Sequence, residues 1–482
     1  MTESNRGGMT TAIDEWRVFL GQRYRRFLGI GVGQAAVSAL AGDGLTIPLL
    51  LTLGAHPAVA TVIGVLPFAF SSAQLLVPRL LRQFDGNLRG LTMIILLVGE
   101  TRGFLLAGYT FLAWAGVLPR PAAIILIGLV MTMAGAATTI GGTNLLAWYG
   151  AILSDPERRF VAPRVMGVNL GLGAFLLLPV ALLVQLTEPA IGILVYALVF
   201  LVAGIAGIAE LIVVARLPKP GRVQVASTRT ATRPNGRGAA TDAQDLTSES
   251  GPASQPGASA SPPGAPAREL DRFLRVVTVA AFGAGFGPYL SIYAISVLGL
   301  PPAFAILLAA LSSAAALVSA TIVGGLLGRG SSSRFLRLSF LLRGGSMIFG
   351  LLAFPQNPLA WLVLCIVAIV ASAGAAAGTL SANERLMRLA PGPEVLHAQG
   401  GFVSGTALGL TAGQVANALI LAALPLGYPT FAILFIVSGL TRFVTAAQAD
   451  VSASWTSSTT AYRIEDLRGP PPPVEPDPGS EP

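Results

Sequence analysis

Charge is what this chain of 482 residues has least of. Asp, Glu, Lys and Arg make up 11% of it, against about 25% in an ordinary soluble domain. Hydrophobic residues make up 53%. So few charges cannot cover a soluble surface of this size, which excludes a water-soluble enzyme. Lysine is nearly absent. Lys219 is the only one, and it follows Pro218. A phosphate loop of the Gly-Lys-Ser/Thr type is therefore excluded, and with it an ATP site of that kind. The single cysteine, Cys365, allows no internal disulfide. Two histidines, His56 and His397, lie far apart, so no His/Cys metal centre is expected. No cofactor is expected, and no paired carboxylate or histidine motif points to an enzyme.

What is present is a succession of apolar runs. A spanning helix needs about 20 apolar residues, and twelve runs qualify. Six lie near 28–52, 58–80, 90–115, 121–148, 164–186 and 190–215; six more lie near 273–298, 303–327, 335–355, 358–381, 398–424 and 428–448. The segment 1–27 precedes them. Ile13, Trp16, Leu20, Tyr24 and Phe27 recur there at helical spacing among arginines. That pattern fits an interfacial amphipathic helix and equally a plain lead-in to the first span. Residues 217–271 are rich in Pro, Gly, Ser, Thr and Ala without periodicity, so a disordered linker is expected between bundles 28–216 and 272–449. Residues 450–482 read as a disordered Pro-rich tail.

The arginines fall in alternate loops. The opposite loops hold only Arg120, while Arg102 and Arg343 lie inside spans as buried-charge candidates. Arg442 counts with the C-terminal group. This alternation follows the positive-inside rule and puts both termini in the cytoplasm. The basic balance thus reports topology and contact with membrane lipids rather than nucleic acid.

The two halves resemble each other. Leu45-Thr-Ile-Pro-Leu-Leu-Leu-Thr-Leu-Gly54 aligns without gaps on Leu290-Ser-Ile-Tyr-Ala-Ile-Ser-Val-Leu-Gly299, and Pro57-Ala58 then matches Pro302-Ala303. Arg102-Gly103 resembles Arg343-Gly344. Several matches in the same order imply duplication, the usual construction of secondary transporters.

On these features the chain resembles the major facilitator superfamily over about 28–215 and 273–448. The basic stretch Pro78-Arg-Leu-Leu-Arg-Gln-Phe-Asp-Gly-Asn-Leu-Arg89 keeps the character of the family's loop after span two, but lacks its Gly and its Asp-Arg pair. Gly324-Gly-Leu-Leu-Gly-Arg329 keeps Gly-x-Leu-x-x-Arg. Asp155-Pro-Glu-Arg-Arg159 looks like the family's turn after span four. Gly167-Val-Asn-Leu-Gly171-Leu-Gly173 lacks the Gly-Pro and Gly-Gly of drug/proton exporters. The resemblance implies an all-α polytopic membrane protein of 12 transmembrane helices in two pseudo-symmetric six-helix bundles. It also implies alternating access around a central site, with Asp155, Glu157, Arg158 and Arg159 as gating-loop candidates.

Asp43 is the first candidate for proton coupling. It sits mid-span between Gly42 and Gly44 with Pro48 beyond, where a carboxylate is costly unless hydrated or paired. Glu100 is second. Glu100 and Arg102, two apart on one helix, should face different ways. Glu210, near the end of span six, reads as interfacial. Gln34, Thr46, Thr139, Asn144, Tyr289, Tyr293 and Asn383 are the substrate-cavity candidates. Their hydroxyls and amides can equally bond their own helices. Span eleven carries Gly401, Gly405, Gly409 and Gly413 at four-residue intervals, a face for close helix packing. The expected function is a monomeric secondary transporter of a small molecule, driven by protons, in the inner membrane of a bacterium. A lipid flippase and a non-transporting scaffold or sensor are the alternatives.

Overall fold

The computed structural model describes residues 21, 24–70, 77–84, 87–153, 155–219, 265–285, 289–327, 332–389 and 394–449. The expected N-terminal interfacial helix lies mainly outside them, as do most of the linker and the tail. Every regular element among the described residues is helical. In the first half the helices are α1 (Arg25–Leu40), α2 (Asp43–Thr52), α3 (Pro57–Ala69), α4 (Val77–Gln83), α5 (Leu88–Glu100), α6 (Arg102–Trp114), α7 (Arg120–Ile152), α8 (Asp155–Ile191) and α9 (Leu194–Ala215). In the second they are α10 (Ala265–Ala284), α11 (Tyr289–Ser296), α12 (Pro302–Leu327), α13 (Ser332–Phe349), α14 (Ala360–Leu389), α15 (Glu394–Ala423) and α16 (Tyr428–Gln448). Helix α10 begins at Ala265, inside the stretch read as linker.

Ten helical segments among the described residues are long and apolar enough to cross a membrane. Helix α3 occupies the place of span two, and α10 with α11 that of span seven. These are the twelve spans of two six-helix bundles. The aligned repeat has a structural counterpart. Gly54 and Gly299, its matched last residues, both take positive φ, +91° and +65°. Only glycine adopts that conformation without strain, so each ends its helix there, and Pro57 and Pro302 open the next ones. A proline costs little in the first turn, where its missing N–H would have no partner.

Helix connections alternate between two sides, which we name from the chain ends: the terminal side and the far side. On the far side a single apolar core joins both halves, with Leu45, Leu49 and Tyr196 from the first and Tyr293, Ile306 and Phe431 from the second. On the terminal side the cores separate. Tyr24, Phe27, Trp148 and Leu211 form one; Phe273, Phe340 and Leu386 form another. The halves meet where α8 runs along α12 and α15 along α3. Glycines set the closeness of the first contact: a Cβ on Gly171 would lie 2.7 Å from Leu317. Burial thus closes the far side and leaves the described terminal-side residues as two separate packing units.

The glycine face of span eleven packs on span seven. A Cβ on Gly409 would lie 2.1 Å from the Thr278 carbonyl oxygen, and one on Gly413 2.1 Å from that of Phe282. Backbone atoms cannot move aside as a side-chain tip can. Gly409→Ala is therefore expected to lower stability by about 1–3 kcal/mol. Gly401→Ala, whose added Cβ meets Leu274 at 3.4 Å, should stay within about 0.5 kcal/mol of the parent. Thermal unfolding in detergent distinguishes the two, and equal melting would contradict this packing.

Candidate functional site: a buried charge cluster at the break in span one

Span one is two helices. Helix α1 stops at Leu40, Ala41 and Gly42 leave helical geometry, and α2 restarts at Asp43. The Gly42 backbone is extended. Its glycine is required by close approach, because a Cβ there would lie 2.1 Å from the Ser38 carbonyl oxygen. A helix end inside a membrane leaves carbonyls without partners, and Arg102 supplies them. Its Nε donates to the Ala41 carbonyl at 3.1 Å and an Nη to the Val37 carbonyl at 3.2 Å. A cation at a helix C-terminus also opposes the helix dipole favourably. Asp43 sits in the first turn of α2, where the dipole favours negative charge. One break thus presents a cationic cap on one side and a carboxyl on the other.

Span three has only a local irregularity: α5 ends at Glu100, Thr101 keeps right-handed helical dihedrals of −82° and 0°, and α6 starts at Arg102. Glu100, Asp43 and Glu210 all lie within electrostatic reach of Arg102. Arg102 is 7% exposed, Glu100 4% and Glu210 1%. Glu210 is therefore enclosed by protein rather than exposed at a surface. It lies in the core between spans one, three and six. The Glu100 and Glu210 carboxyls approach one another and Gln34 approaches Glu210. Even so, neither Glu210 oxygen has a hydrogen bond of good geometry.

Small residues make this approach possible. A Cβ on Gly207 would lie 2.1 Å from the Glu100 carbonyl oxygen, one on Gly103 2.3 Å from the Gly204 nitrogen, and one on Gly33 2.5 Å from the Glu210 Cβ. The cluster therefore comprises Gln34 and Asp43 from span one, Glu100 and Arg102 from span three, and Glu210 from span six. One guanidinium balances one carboxylate, which leaves two of the three carboxyls to take up protons or attract a cationic group. Among the described residues no three His, Cys, Asp or Glu are grouped to hold a metal ion.

The other candidates are scattered. Thr46 is buried, its hydroxyl 3.7 Å from the Met131 sulfur. The Thr139 hydroxyl donates to the Gly135 carbonyl of its own helix at 2.8 Å. Asn144 is 1% exposed and its Nδ2 has no hydrogen-bond partner. The Tyr293 hydroxyl donates to the Ala353 carbonyl, and its ring packs 4.8 Å from that of Phe431. Asn383 is half-buried. The Tyr289 side chain lies outside the described ones, as do those of Asp155, Arg158 and Arg159. Glu157 is described, with the Tyr24 hydroxyl 3.5 Å away.

The second half holds an arginine cap of its own. Arg442 is 2% exposed, not at the terminal surface where its position in the sequence placed it. An Nη donates to the Gly283 carbonyl at 3.0 Å, and the Ser438 hydroxyl donates to the same oxygen at 2.8 Å. Both bonds fall at the end of α10.

No protein-family model matches the sequence, and no curated protein matches it. Solved structures do. A crystal structure of a variant of the nucleoside transporter NupG is 14% identical with a TM-score of 0.56, covering 88% of this chain and 98% of that one. A bacterial homologue of the iron transporter ferroportin, in an inward-facing state, is 14% identical with a TM-score of 0.55, covering 89% and 98%. Another NupG crystal structure is 13% identical with a TM-score of 0.52, covering 88% and 97%. Together with the twelve spans and the matched half-repeats, these likenesses establish that the chain has the major facilitator fold.

Proposed function

We propose that the protein is a secondary active transporter that moves a small molecule across the cytoplasmic membrane by alternating access, coupled to protons. The observation that carries this reading is the broken first span, with Asp43 at the break and Arg102 holding the carbonyls of its other half. In transporters, discontinuous helices at mid-membrane are where ions and substrates bind. With two of its three carboxyls protonated the cluster pairs one carboxylate with one cation, so it can hold protons without a net charge in lipid. The terminal side is the cytoplasmic one, and its arginines meet anionic headgroups. The core that spans both halves on the far side corresponds to an outward-closed state.

Cargo is chosen by the cavity and not by the fold. The nucleosides and iron named for the structural neighbours therefore serve as first probes, not as an assignment. The test begins with a thermal-shift screen of the purified protein against metabolites at pH 5.5 and 7.5. A hit is then followed into proteoliposomes with an imposed pH gradient. Accumulation that rises with the gradient and collapses with a protonophore is expected. Equilibration to equal concentrations, indifferent to the gradient, would overturn proton coupling.

A further inference from the structure

The second half carries the opposite charge arrangement. Arg442 of span twelve is 2% exposed, and the Arg343 charge lies within electrostatic reach of it. Arg442 makes one bond, to Gly283, while its Nε and other Nη are buried without partners. The Arg343 Nε is likewise buried and unpartnered. Among the described residues no carboxylate acts on either guanidinium. Gly374 and Gly344 give the groups their room: a Cβ on Gly374 would lie 2.7 Å from the Arg343 Cγ, and one on Gly344 3.1 Å from the Gly439 carbonyl oxygen. In the repeat, Arg343-Gly344 corresponds to Arg102-Gly103, and the Gly344–Gly439 crossing to Gly103–Gly204. The same location thus holds three carboxyls and one arginine in the first half, and two arginines in the second.

Two guanidinium groups within electrostatic reach of each other, with buried N–H donors left open on both, are costly inside a membrane protein without an anion. Planar guanidinium forks match the oxygens of carboxylates and phosphates. We propose that Arg343 and Arg442 form a binding site for one oxyanionic group, a carboxylate or a phosphate, in the second bundle. The open Nε and Nη atoms donate to the anion, while the bond from Arg442 to Gly283 ties the site to the end of α10. Occupancy therefore bears on how span seven is held, independently of the proton site in the first half.

Two sources carry this chemistry, a free solute and the headgroup of an anionic lipid. The test measures melting of the full chain in a neutral detergent at constant ionic strength. Acetate or inorganic phosphate is titrated in one arm and phosphatidylglycerol in the other. A saturable rise of at least about 3 °C is expected in one arm. A rise with acetate or phosphate marks a free solute, and a rise with phosphatidylglycerol alone marks a headgroup. The rise should be lost in Arg343→Gln and kept in Arg334→Gln, an exposed arginine of the same helix. If Arg343→Gln does not fold, Arg343→Lys is expected to weaken the half-saturating concentration about tenfold. No saturable rise in either arm, or a rise unchanged by substitution at Arg343, overturns the proposal.

Discussion

Arg102→Met is expected to be the most damaging single substitution in the chain. Two costs coincide. The Ala41 carbonyl loses its donor, and the Val37 carbonyl keeps only the Ala41 N–H. Asp43, Glu100 and Glu210 also lose the cation they share. Breaking one side of a buried ionic arrangement costs about 3–5 kcal/mol, a large share of the roughly 5–15 kcal/mol that holds a typical domain together. The variant should melt well below the parent and accumulate poorly in membranes. Arg102→Lys keeps the charge but loses the planar fork that spans two carbonyls, so an intermediate melting point is expected. A Met variant that melts with the parent would mean that the break in span one does not depend on Arg102.

Asp43→Asn should produce the second large effect, and one of a different kind. Asparagine keeps the size and hydrogen-bonding capacity of the side chain and removes its titration. At about 8 Å and an effective dielectric of about 20, one charge pair is worth roughly 2 kcal/mol. Gaining or losing the Asp43 charge beside Arg102 can thus move a two-state equilibrium by a factor of ten or more, since about 1.4 kcal/mol is tenfold. In the proposed mechanism, protonation of Asp43 weakens the attraction between Arg102 and the α2 half of span one, and deprotonation restores it. Asn imitates the protonated form at every pH. Exchange of substrate across the membrane should continue, whereas accumulation driven by a pH gradient should vanish. Retained gradient-driven accumulation would remove Asp43 from the coupling path.

Much of the architecture was legible because hydropathy and arginine position are linear signals. Spans of about 20 apolar residues and alternating basic loops need no tertiary information. The repeat was legible because Gly54 and Gly299 must both be glycine at their helix ends. The site was legible only in part. Asp43 stood out because it interrupts an apolar run between glycines. Glu210 did not, because distance along a span says little about depth where helices cross. Its signal was the small-residue face Gly204–Gly207 one turn earlier, which marks a close crossing. Arg442 was hidden among terminal cations for the same reason as Glu210, and Ser438 and Gly439, one turn earlier, are the counterpart signal.

Alternating access itself can be measured before any substrate is known. Cys365 is the single cysteine and is buried, so Cys365→Ala gives a clean background for paired spin labels. Val117 and Gln356 are exposed on the far side of the two halves, and Gln83 and Arg334 on the terminal side. Distances between labels at each pair are measured by electron–electron resonance in lipid nanodiscs from pH 5.5 to 8. The account predicts two populations whose proportions change with pH in opposite senses on the two faces, and a fixed proportion in Asp43→Asn. A single distance on each face, the same at every pH, would contradict it.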